Sequence, residues 1–364
     1  MKALLLGDMS PTGDNAHLFE QGDVQTLFAD TQTLFAESDV SIVNLECAVT
    51  ESETPIAKVG PAIKAPLGTA QTLKKLGVTY CNLSNNHFFD YGRKGAMDSI
   101  DALNAVGIGY TGFGDNEADS RKNLIIEKDG EKICVIAVCE HEYSYALEDR
   151  MGARAFDVFE TPLEIRAAKE KYDRVVVLYH GGKELCQYPS PRLRKACRTM
   201  VKSGADVVLC QHTHCIGAYE EFEGGHILYG QGNFHFVTTR HSEMDIWFES
   251  LAVTYDTKTN EICFVPLLGT TKTGGIRLAD PEESQKILSA FAQRNASLHD
   301  GTWLDGWRAF CESVLEQYSG VMVRAGMPEK GERAVQLFAH YLDCEAHTDV
   351  WKELYKTYND TNEK

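Results

Sequence analysis

Histidine, carboxylate and amide side chains recur at one kind of position in this sequence, directly after short apolar runs. The residues at these positions are Asp8, Asn44, Glu46, Asn85, Asn86, His87, His180, His212 and His214. Carboxylate and amide oxygens suit harder cations, whereas imidazole nitrogens suit Zn, Fe, Mn or Co. A set that combines all three ligand types predicts a site for a pair of divalent cations.

Two of these histidines, His212 and His214, are separated by a single residue after the apolar run DVVL. Side chains of an extended chain alternate with a period of two, so both rings are expected on the same side of the backbone. One ring could serve each metal, or both could serve one. Cys210 and Cys215 flank the pair, and the lack of a CxxC spacing favours buried, reduced thiols over metal ligation. The chain has 11 cysteines, and without an export signal a disulfide framework is not expected.

The polar residues follow segments that predict buried strands. Near-continuous apolar runs, typical of strands covered on both faces, occupy 2–7, 40–46, 78–84, 174–180, 206–212 and 226–230. Helical patterns alternate with them at 68–77, 94–107, 161–172 and 190–204. This alternation predicts a layered α/β fold. In open α/β sheets, sites form beyond the carboxyl ends of the strands, which is where these polar residues fall.

Two hairpin patterns interrupt the alternation. Residues 123–138 centre on Asp129 and Gly130, a pair typical of a type I′ turn, and residues 250–267 turn at 256–260. These antiparallel segments predict a mixed sheet or a two-sheet sandwich.

The pattern changes after about residue 278, where helical segments replace the strands. Asp280 and Pro281 have the residue types of an N-cap and a first helical position. One predicted helix, over 303–318, carries an apolar face of Trp303, Leu304, Trp307, Phe310, Cys311, Val314, Leu315 and Tyr318. We therefore divide the chain into an α/β domain at 1–277 and a helical C-terminal region at 278–364. The helical region is expected to pack on the domain as a structural cap and to supply no metal ligand.

The composition is that of an ordinary globular chain of 364 residues, 43% hydrophobic and 24% charged. Its formal net charge of −17 argues against nonspecific nucleic-acid binding, which needs a basic surface. Any anion site must therefore be locally positive, and the basic residues near the motifs are Arg93, Lys94, Lys183 and Arg192. No apolar run reaches the roughly 18 residues of a membrane span, and the first apolar run is too short for an export signal, so a cytoplasmic protein is expected.

Six segments, in order, carry a resemblance to a known family. They are GDMSPTGD (7–14), NLECAVT (44–50), LSNNHFFDYG (83–92), HGGKE (180–184), GADVVLCQHTH (204–214) and YGQGNF (229–234). Their order is similar to that of the calcineurin-like metallophosphoesterases. Within that architecture the chain most resembles the bacterial capsule-synthesis CapA family of poly-γ-glutamate biosynthesis, over roughly residues 1–270. The resemblance implies an α/β fold, a four-layer, metallophosphatase-like mixed β-sandwich flanked by helices.

The resemblance also implies a role for each matching residue. The implied ligands of two divalent ions, Mn, Fe or Zn, are Asp8, Glu46, Asn86, His180, His212 and His214. Glu46 would bridge the ions, and His87 would be the general acid that protonates a leaving oxygen. Asp90 would orient the His87 ring, and Glu184 would be an outer partner of His180.

Other positions of the matching segments complete the comparison. Asn233, in YGQGNF, would lie near the rim of the same site. Gly181 replaces the Trp that is usual in the family, and Thr213 replaces the usual Pro. Ser10 stands where the phosphoesterases have a His.

Three functions fit these residues. The first is a metal-dependent hydrolase, most simply of a phosphoester, with a small-molecule or polymer substrate linked to capsule or poly-γ-glutamate metabolism. The second is a non-catalytic accessory protein of poly-γ-glutamate capsule assembly, in which the same residues hold metal or polymer. The third is an amide hydrolase that cleaves γ-glutamyl bonds with the same metals. A general acid beside the ligands favours chemistry, because a scaffold has no need of one.

Overall fold

The computed structural model of the chain describes residues 1–140 and 143–356. Its strands, in chain order, are Lys2–Met9 (β1), Val40–Leu45 (β2), Ala48–Val49 (β3), Lys64–Ala65 (β4), Tyr80–Asn82 (β5), Gly109–Thr111 (β6), Phe113–Gly114 (β7), Leu124–Lys128 (β8), Glu131–Cys139 (β9), Gly152–Ala153 (β10), Arg174–His180 (β11), Val207–Gln211 (β12), Tyr219–Phe222 (β13), Gly225–Leu228 (β14), Asn233–His235 (β15), Glu249–Asp256 (β16), Glu261–Thr270 (β17) and Gly275–Leu278 (β18).

The α-helices fall between these strands and after the last of them. They are Ala16–Gln21 (α1), Val24–Phe28 (α2), Gln32–Ala36 (α3), Gly68–Leu76 (α4), Gly92–Ala105 (α5), Glu117–Ser120 (α6), Glu160–Lys169 (α7), Pro191–Lys202 (α8), Asp245–Phe248 (α9), Pro281–Asp300 (α10), Trp303–Ser313 (α11), Leu315–Ala325 (α12), Gly331–Asp343 (α13) and Glu345–Leu354 (α14). Short 3-10 turns occupy Ala29–Thr31, Thr239–His241 and Pro328–Lys330. Within the described residues, no helix combines the length and the apolar character needed to cross a membrane.

Two large sheets form the centre of the molecule. The first has the order β18-β17-β16-β1-β2-β5-β6, with β15 also paired to β1, and the second has the order β13-β14-β12-β11-β9-β8. The first sheet is mixed, because β1 runs parallel to β2 and β15 and antiparallel to β16. In the second sheet β9, β11, β12 and β14 are parallel, whereas β8 and β13 are antiparallel edge strands. The predicted mixed pairing is therefore confirmed.

Three apolar clusters separate the layers of this sandwich. The cluster between the two sheets includes Leu5 and Val253 of the first sheet and Leu209 of the second. A second cluster packs α1 to α5 on the outer face of the first sheet, and a third packs α7 and α8 on the outer face of the second. In β1 the alternation of a strand sends Leu4 and Leu6 to the helices and Leu5 to the other sheet. The predicted four-layer sandwich flanked by helices is confirmed.

The hairpin of β8 and β9 has the turn that its sequence predicts. Asp129 and Gly130 have positive φ angles of 53° and 80°, as a type I′ turn requires at both central positions. The second predicted hairpin joins β16 to β17. The two strands are antiparallel, and the pair nearest the turn is Asp256 with Glu261.

The helices after β18 begin with the predicted cap. The Asp280 side chain accepts hydrogen bonds from the backbone N–H groups of Glu282 and Glu283, and the Glu283 carboxylate accepts one from the Asp280 N–H at 2.8 Å. Pro281 occupies the first turn. This reciprocal capping box satisfies N–H groups that would otherwise lack partners at the start of α10.

The predicted single helix over 303–318 is wrong in one respect. α11 ends at Ser313 and α12 begins at Leu315, with Val314 between them at φ −104° and ψ 6°. The break changes the phase of the helix, so Leu315 leaves the apolar face and is 43% exposed. Tyr318 remains buried with its neighbours in the apolar cluster of the C-terminal helices.

The cysteines are thiols that pack into the core. All 11 are free, and Cys263 is the exposed one. The sulfur of Cys210 lies 3.6 Å from that of Cys197, and Cys215 is fully buried. Among the described residues, the His, Cys, Asp and Glu groups that could hold a metal contain no cysteine. The two cysteines beside the histidine pair therefore contribute packing, as interpreted from the sequence.

A buried charged network joins α14 to the segment after β11. Arg192, on α8, contacts Glu140 (Nη2–Oε1 2.6 Å) and Asp349 (Nε–Oδ2 2.9 Å). Glu140 also accepts a hydrogen bond from the Gly182 N–H at 2.9 Å, and Asp349 accepts one from the Ser190 hydroxyl at 2.5 Å. The two carboxylate side chains are 0% and 5% exposed. The two carboxylates thus share one guanidinium as their cation.

Replacing Arg192 with Met is expected to lower the free energy of unfolding by about 3–5 kcal/mol, because two buried carboxylates lose their cation. Lys94→Met is the matched control. Lys94 is 71% exposed and pairs with Asp98 on the surface, where a pair contributes less than about 1 kcal/mol. Urea unfolding of both variants measures the difference, and a loss of less than about 1 kcal/mol in Arg192→Met would contradict the network's role.

The ring of His235, on β15, is buried between two aromatic rings. Its centroid lies 5.0 Å from that of Phe19 and 5.1 Å from that of Phe28. Burial lowers the pKa of His235 from its usual 6.5 to about 4. As the pH falls below 6.5, the unfolded chain therefore binds a proton that the folded chain does not. The folded state loses stability until the pH reaches about 4, below which both states are protonated.

We expect this histidine to remove about 3 kcal/mol from the free energy of unfolding between pH 6.5 and pH 4. His235→Leu should lose that part of the pH dependence. His17→Leu, at an exposed position of α1, should retain it. Unfolding titrations at both pH values measure the effect. An unchanged pH dependence in His235→Leu would show that the buried ring takes up its proton without unfolding.

Candidate metal centre

Strand register brings the carboxyl end of β1 beside β2 and β15. Asp8 pairs with Asn44 of β2 and with Asn233 of β15. The register with β15 shifts just after Asp8, and the register with β2 shifts just before it. Such an irregularity re-aims the side chain that follows it. A Cβ atom at Gly7 would lie 2.0 Å from the carbonyl oxygen of Gly232, so this close approach of two backbones requires glycine.

Asp8 lies at the centre of the hydrogen bonds at this edge. Its Oδ1 accepts from the Asn44 amide at 2.7 Å, and its Oδ2 accepts from the His212 backbone N–H at 2.9 Å. The Nδ1 of His214 lies 3.4 Å from the same Oδ2. Burial by itself raises the pKa of Asp8, but the hydrogen bond with His214 and the charges of His180 and His214 outweigh it and lower the pKa. Asp8 is therefore a buried, ionised carboxylate.

A second carboxylate, Glu46, is fully buried just after β2. Neither of its oxygens accepts a hydrogen bond from the residues that the structure describes. Ring nitrogens of His180 and His214 lie 3.5 and 3.9 Å from Oε1. A buried carboxylate without hydrogen bonds is unfavourable unless a cation compensates its charge. The surroundings of Glu46 therefore fit a bound divalent cation.

The end of β11 positions His180 against these acids. His180 pairs in register with Gln211 at the end of β12, so both strands finish at the same level. Its Nδ1 is 3.0 Å from the Asn44 amide nitrogen, and its Nε2 is 2.8 Å from the Asn86 Oδ1. The structure thus places Asn86 beside His180, both of which are predicted ligands.

The backbone at His212 and His214 is not extended, so that prediction is wrong. β12 ends at Gln211, and the two histidines have positive φ angles of 83° and 52°. A left-handed backbone costs a non-glycine residue about 1–3 kcal/mol, and such residues cluster at functional sites. The two rings still lie near each other, with 5.8 Å between centroids. The hydrogen bond from the His212 N–H to Asp8 holds this turn against β1.

His214 has acids on one side and aromatic rings on the other. Its Nδ1 is 2.9 Å from the Asn233 Oδ1, and its ring centroid is 4.6 Å from that of Trp247. The contact places Asn233 at this rim, where the sequence predicts it. Burial by itself lowers the pKa of His214, but the charge of Glu46 and the hydrogen bond with Asp8 raise it to about 10. Since a metal ligand must be unprotonated, metal binding at His214 would displace this proton.

Three groups of side chains in the described part of the chain have ligand atoms within 4.8 Å of one another. They are Asp8 with Glu46 and His214, Glu46 with His180 and His212, and Glu184 with His212 and His214. Glu46 belongs to the first two groups, which is the position of a bridging carboxylate. None of the three groups takes a member from the helices after β18. The assignment of these residues as ligands stays a prediction.

The structure places Glu184 beside His212 rather than beside the predicted His180. Its Oε1 is 3.8 Å from the His212 Nε2, and its side chain is 48% exposed. Gly182 and Leu185 both have positive φ angles, so the chain turns sharply on either side of this carboxylate. The extended direction of β11 therefore does not continue to Glu184.

A histidine–carboxylate pair stands next to the cluster. The His87 Nδ1 is 2.6 Å from the Asp90 Oδ2, which also accepts a hydrogen bond from the Ile63 N–H at 2.7 Å. Lys58 forms an ion pair with Asp90 and donates to the Asn86 backbone carbonyl at 3.0 Å. Asp90 thus fixes the His87 ring at the edge of the cluster. Lys58 was not found from the sequence, because the irregular segment around it carries no periodic pattern.

Two departures from the resembled families have structural counterparts. Ser10 is buried, and its hydroxyl donates to the carbonyl of Pro11 at 3.2 Å. The site consequently has one imidazole fewer than the phosphoesterase pattern. At Gly181, a Cβ atom would lie 2.4 Å from the Glu140 Oε2, so the Glu140 carboxylate occupies the space that a larger side chain would take.

A cleft of about 510 Å³ opens beside His87 and His214. Trp247 contributes an aromatic surface to its wall, and Lys64 and Arg240 contribute positive charge. Neither cation stands near a motif in the sequence, so sequence reasoning did not select them. The cleft gives a substrate access to the residues of the cluster.

The four basic residues selected from the sequence have different surroundings. Arg93 and Lys94 are exposed on α5, and Arg192 is held by the buried carboxylates described above. Lys183 lines a second, smaller space of about 110 Å³. Of the four, Lys183 is the one that lines a space beside the cluster, which it shares with the Glu184 carboxylate.

Comparison with known proteins extends this description. The fold and the site define a layered α/β protein with a candidate metal centre at its strand ends. Residues 2–238 match the model of the family described as Bacterial capsule synthesis protein PGA_cap. The match covers more than half of the chain, and the protein belongs to this family. The resemblance to the capsule-synthesis family is thereby confirmed.

Three relatives have names that concern capsule biosynthesis, PGA biosynthesis or polyglutamine synthesis. The chain is 30% identical over 174 residues to the Capsule biosynthesis protein CapA of Bacillus anthracis, covering 46% of this chain and 42% of that protein. It is 29% identical over 171 residues to the PGA biosynthesis protein CapA of Bacillus subtilis (strain 168), covering 46% and 45%. A probable polyglutamine synthesis accessory protein of Mycobacterium tuberculosis is 24% identical over 208 residues, covering 54% and 55%. The chain thus spans about half the length of these relatives.

Solved structures show weaker similarity. A hypothetical protein from Thermus thermophilus gives a TM-score of 0.44 at 15% identity, over 73% of this chain and 98% of that one. The 5′-nucleotidase from Candida albicans gives a TM-score of 0.41 at 8% identity, over 80% and 57%.

Proposed function

We propose that this protein is a metal-dependent hydrolase that acts on a phosphoester in capsule or poly-γ-glutamate metabolism. The observation that carries the proposal is the position of Glu46. Its buried carboxylate has no hydrogen bond among the described residues. It belongs both to the group with Asp8 and His214 and to the group with His180 and His212. A carboxylate between two such groups suits a bridge between two divalent cations.

The donor set supports a pair of ions of the Mn, Fe or Zn type. One ion would be held by Asp8, Glu46 and His214, and the other by Glu46, Asn86, His180 and His212. When bound, such a pair supplies an acidified water as nucleophile and neutralises charge on the substrate oxygens. The chain's own carboxylates and imidazoles fix where that chemistry takes place, at the inner end of the cleft.

His87 is the group that we assign to proton transfer. Its Nδ1 contacts Asp90, so the carboxylate orients the ring and leaves Nε2 for the reaction. In the proposed step the Nε2 proton passes to the leaving oxygen and the ring becomes neutral. Lys58 forms an ion pair with the same carboxylate and so helps to hold Asp90 in place. The ring regains its proton from solvent in the cleft that it lines.

Two further functions use the same residues. The names of the relatives, which concern capsule biosynthesis, PGA biosynthesis and a polyglutamine synthesis accessory protein, support the link to capsule polymer. They leave open a γ-glutamyl amide hydrolase and a non-catalytic accessory protein. The oriented pair of His87 and Asp90 favours catalysis, because holding a polymer needs no proton donor.

A substrate screen tests the proposal. The purified protein, loaded with Mn²⁺, is assayed with bis(p-nitrophenyl) phosphate, p-nitrophenyl phosphate and γ-glutamyl p-nitroanilide. We expect turnover of a phosphoester that chelation removes and added Mn²⁺ restores. Turnover of the anilide alone would assign the amide hydrolase instead. A fully metallated protein that turns over none of the three would favour the accessory role.

We also propose the division of the chain into an α/β domain at 1–277 and a helical region at 278–364. It is supported by the end of β18 at Leu278 and the start of α10 at Pro281. A cytoplasmic location stays a prediction, which cell fractionation with an antibody to the protein would check.

A further inference from the structure

The Glu184 carboxylate faces solvent beside the candidate metal centre and has no role in the proposed function. It lines the cleft of about 510 Å³ and also the smaller space of about 110 Å³, which residues of α13 and α14 line as well. Its side chain is 48% exposed, whereas Glu46 is fully buried. The centre therefore has one carboxylate on its buried side and another on the side that faces the cleft.

The geometry around Glu184 fits metal coordination. Its ligand atom and those of His212 and His214 lie within 4.8 Å of one another, and its Oε1 is 3.8 Å from the His212 Nε2. Two ligands of one ion lie no further apart than the sum of their two bonds, which is about 4.0–4.3 Å for nitrogen and oxygen on Zn²⁺. The distance from Glu184 to His212 is within this range. Since the two histidines are assigned to different ions, a carboxylate that reaches both has the position of a second bridge.

Backbone hydrogen bonds on either side of Glu184 fix its position. The Gly182 N–H donates to the buried Glu140 carboxylate at 2.9 Å. The Leu185 N–H donates at 2.8 Å to the carbonyl of Thr213, the residue between the two histidines. Leu185 has a left-handed φ of 62°, which costs a non-glycine residue about 1–3 kcal/mol and is found most often at functional sites. The segment is thus held against the histidine turn, and little rearrangement is needed for the carboxylate to bind a cation there.

A purely structural alternative is a charge pair between Glu184 and its neighbour Lys183. Lys183 lines the same smaller space and acts on the carboxylate as a positive charge, as His214 also does. A pair this close to solvent contributes less than about 1 kcal/mol. It therefore gives little reason for the left-handed turn that directs the carboxylate to the two histidines.

We propose that Glu184 is a further ligand of the divalent cations, on the cleft side of the centre, together with His212 and His214. The proposal rests on the metal centre of the proposed function and adds a residue to it. Because the Glu184 side chain is about half exposed, water screens its charge more strongly than that of Glu46. Its contribution to metal affinity should therefore be the smaller of the two.

Titration of the full-length, metal-free protein with Mn²⁺ tests the ligand role, with the free ion measured by electron paramagnetic resonance. Glu184→Gln should weaken Mn²⁺ binding at least about tenfold, the lower end of the effect of losing a group that supports metal ligands. Glu184→Asp keeps the charge but shortens the side chain by one methylene group, and it should weaken binding by a similar factor. Lys183→Met removes the charge partner and should leave the Mn²⁺ affinity unchanged or raise it.

Two controls accompany the titration. Glu221→Gln, at an exposed position of β13, should bind Mn²⁺ as the wild type does. The free energies of unfolding of the metal-free Glu184 variants should lie within about 1 kcal/mol of the wild-type value, because the pair with Lys183 contributes no more than that. A lower Mn²⁺ affinity then reflects the loss of a ligand in a folded protein.

The outcomes separate this proposal from the proposed function. Unchanged affinity in Glu184→Gln would overturn the ligand role and leave the rest of the centre standing. Weaker binding in Glu184→Gln with wild-type binding in Glu184→Asp would also overturn it, because charge alone would account for the effect. A wild-type chain that binds no Mn²⁺ would overturn the whole centre. Weaker binding in both Glu184 variants would support the ligand role even if the protein turned over no ester.

Discussion

Replacing Glu46 with Gln is expected to remove most of the bound metal and to abolish turnover. The substitution keeps the size of the side chain and deletes its charge. Because Glu46 belongs to two ligand groups, its loss should weaken the binding of both ions. Even outer partners of metal ligands typically change metal affinity 10–100-fold, so loss of this carboxylate should lower the affinity more than about 100-fold. Elemental analysis after dialysis, together with the ester assay, measures both effects.

Glu221→Gln is the matched control for this substitution. Glu221 is exposed on β13, outside the residues that form the centre and the cleft. The control should retain wild-type metal content and turnover. If Glu46→Gln also retained both, Glu46 would be a structural buried acid and the bridging assignment would be wrong.

Replacing His87 with Asn should leave the metal content nearly intact and still lower the rate by about 10²–10⁴-fold, the usual contribution of general acid–base catalysis. The reason is the position of the ring, which contacts Asp90 and lines the cleft but belongs to none of the three ligand groups. His212→Asn is the comparison. Loss of a ligand should lower metal content and rate together, since affinity depends on the full coordination set.

Asp90→Asn separates the orienting role from the acid itself. Without the carboxylate the His87 ring loses its fixed orientation, so the rate should fall while the metal stays bound. A fully active, fully metallated His87→Asn variant would rule out the acid assignment and leave the ligand set standing. Loss of metal from that variant would instead make His87 a ligand.

Much of the site could be predicted from the sequence, because the pattern of apolar and polar residues shows where buried strands end. Apolar runs that finish in Asp8, Glu46 and His180 mark the carboxyl ends of buried strands. Parallel pairing aligns the ends of β1 and β2 within the first sheet, and the packing of the second sheet on the first brings His180 to them. The conformation of the two neighbouring histidines could not be predicted in this way. Strand alternation holds only while the backbone is extended, and His212 and His214 have left-handed φ angles.

Contacts between residues that lie far apart in the sequence also could not be predicted from the residue pattern. Glu140 and Asp349 are joined through Arg192, and no local periodicity relates positions so far apart. For the same reason the helices after β18 could be predicted as helices, but the contact of α14 with Arg192 could not. Lys58 was missed because the irregular segment around it carries no periodic pattern and its partner Asp90 lies on a different segment.

Metal stoichiometry is the most direct test of the centre. The protein is purified without chelator, reconstituted with Mn²⁺, dialysed and analysed for its elements, with Glu46→Gln treated in parallel. Two ions per chain in the wild type, and a clear loss in the variant, are the expected result. Less than about a tenth of an ion per wild-type chain after reconstitution would contradict the metal centre, because an assembled ligand set binds its metal once the ligands are deprotonated.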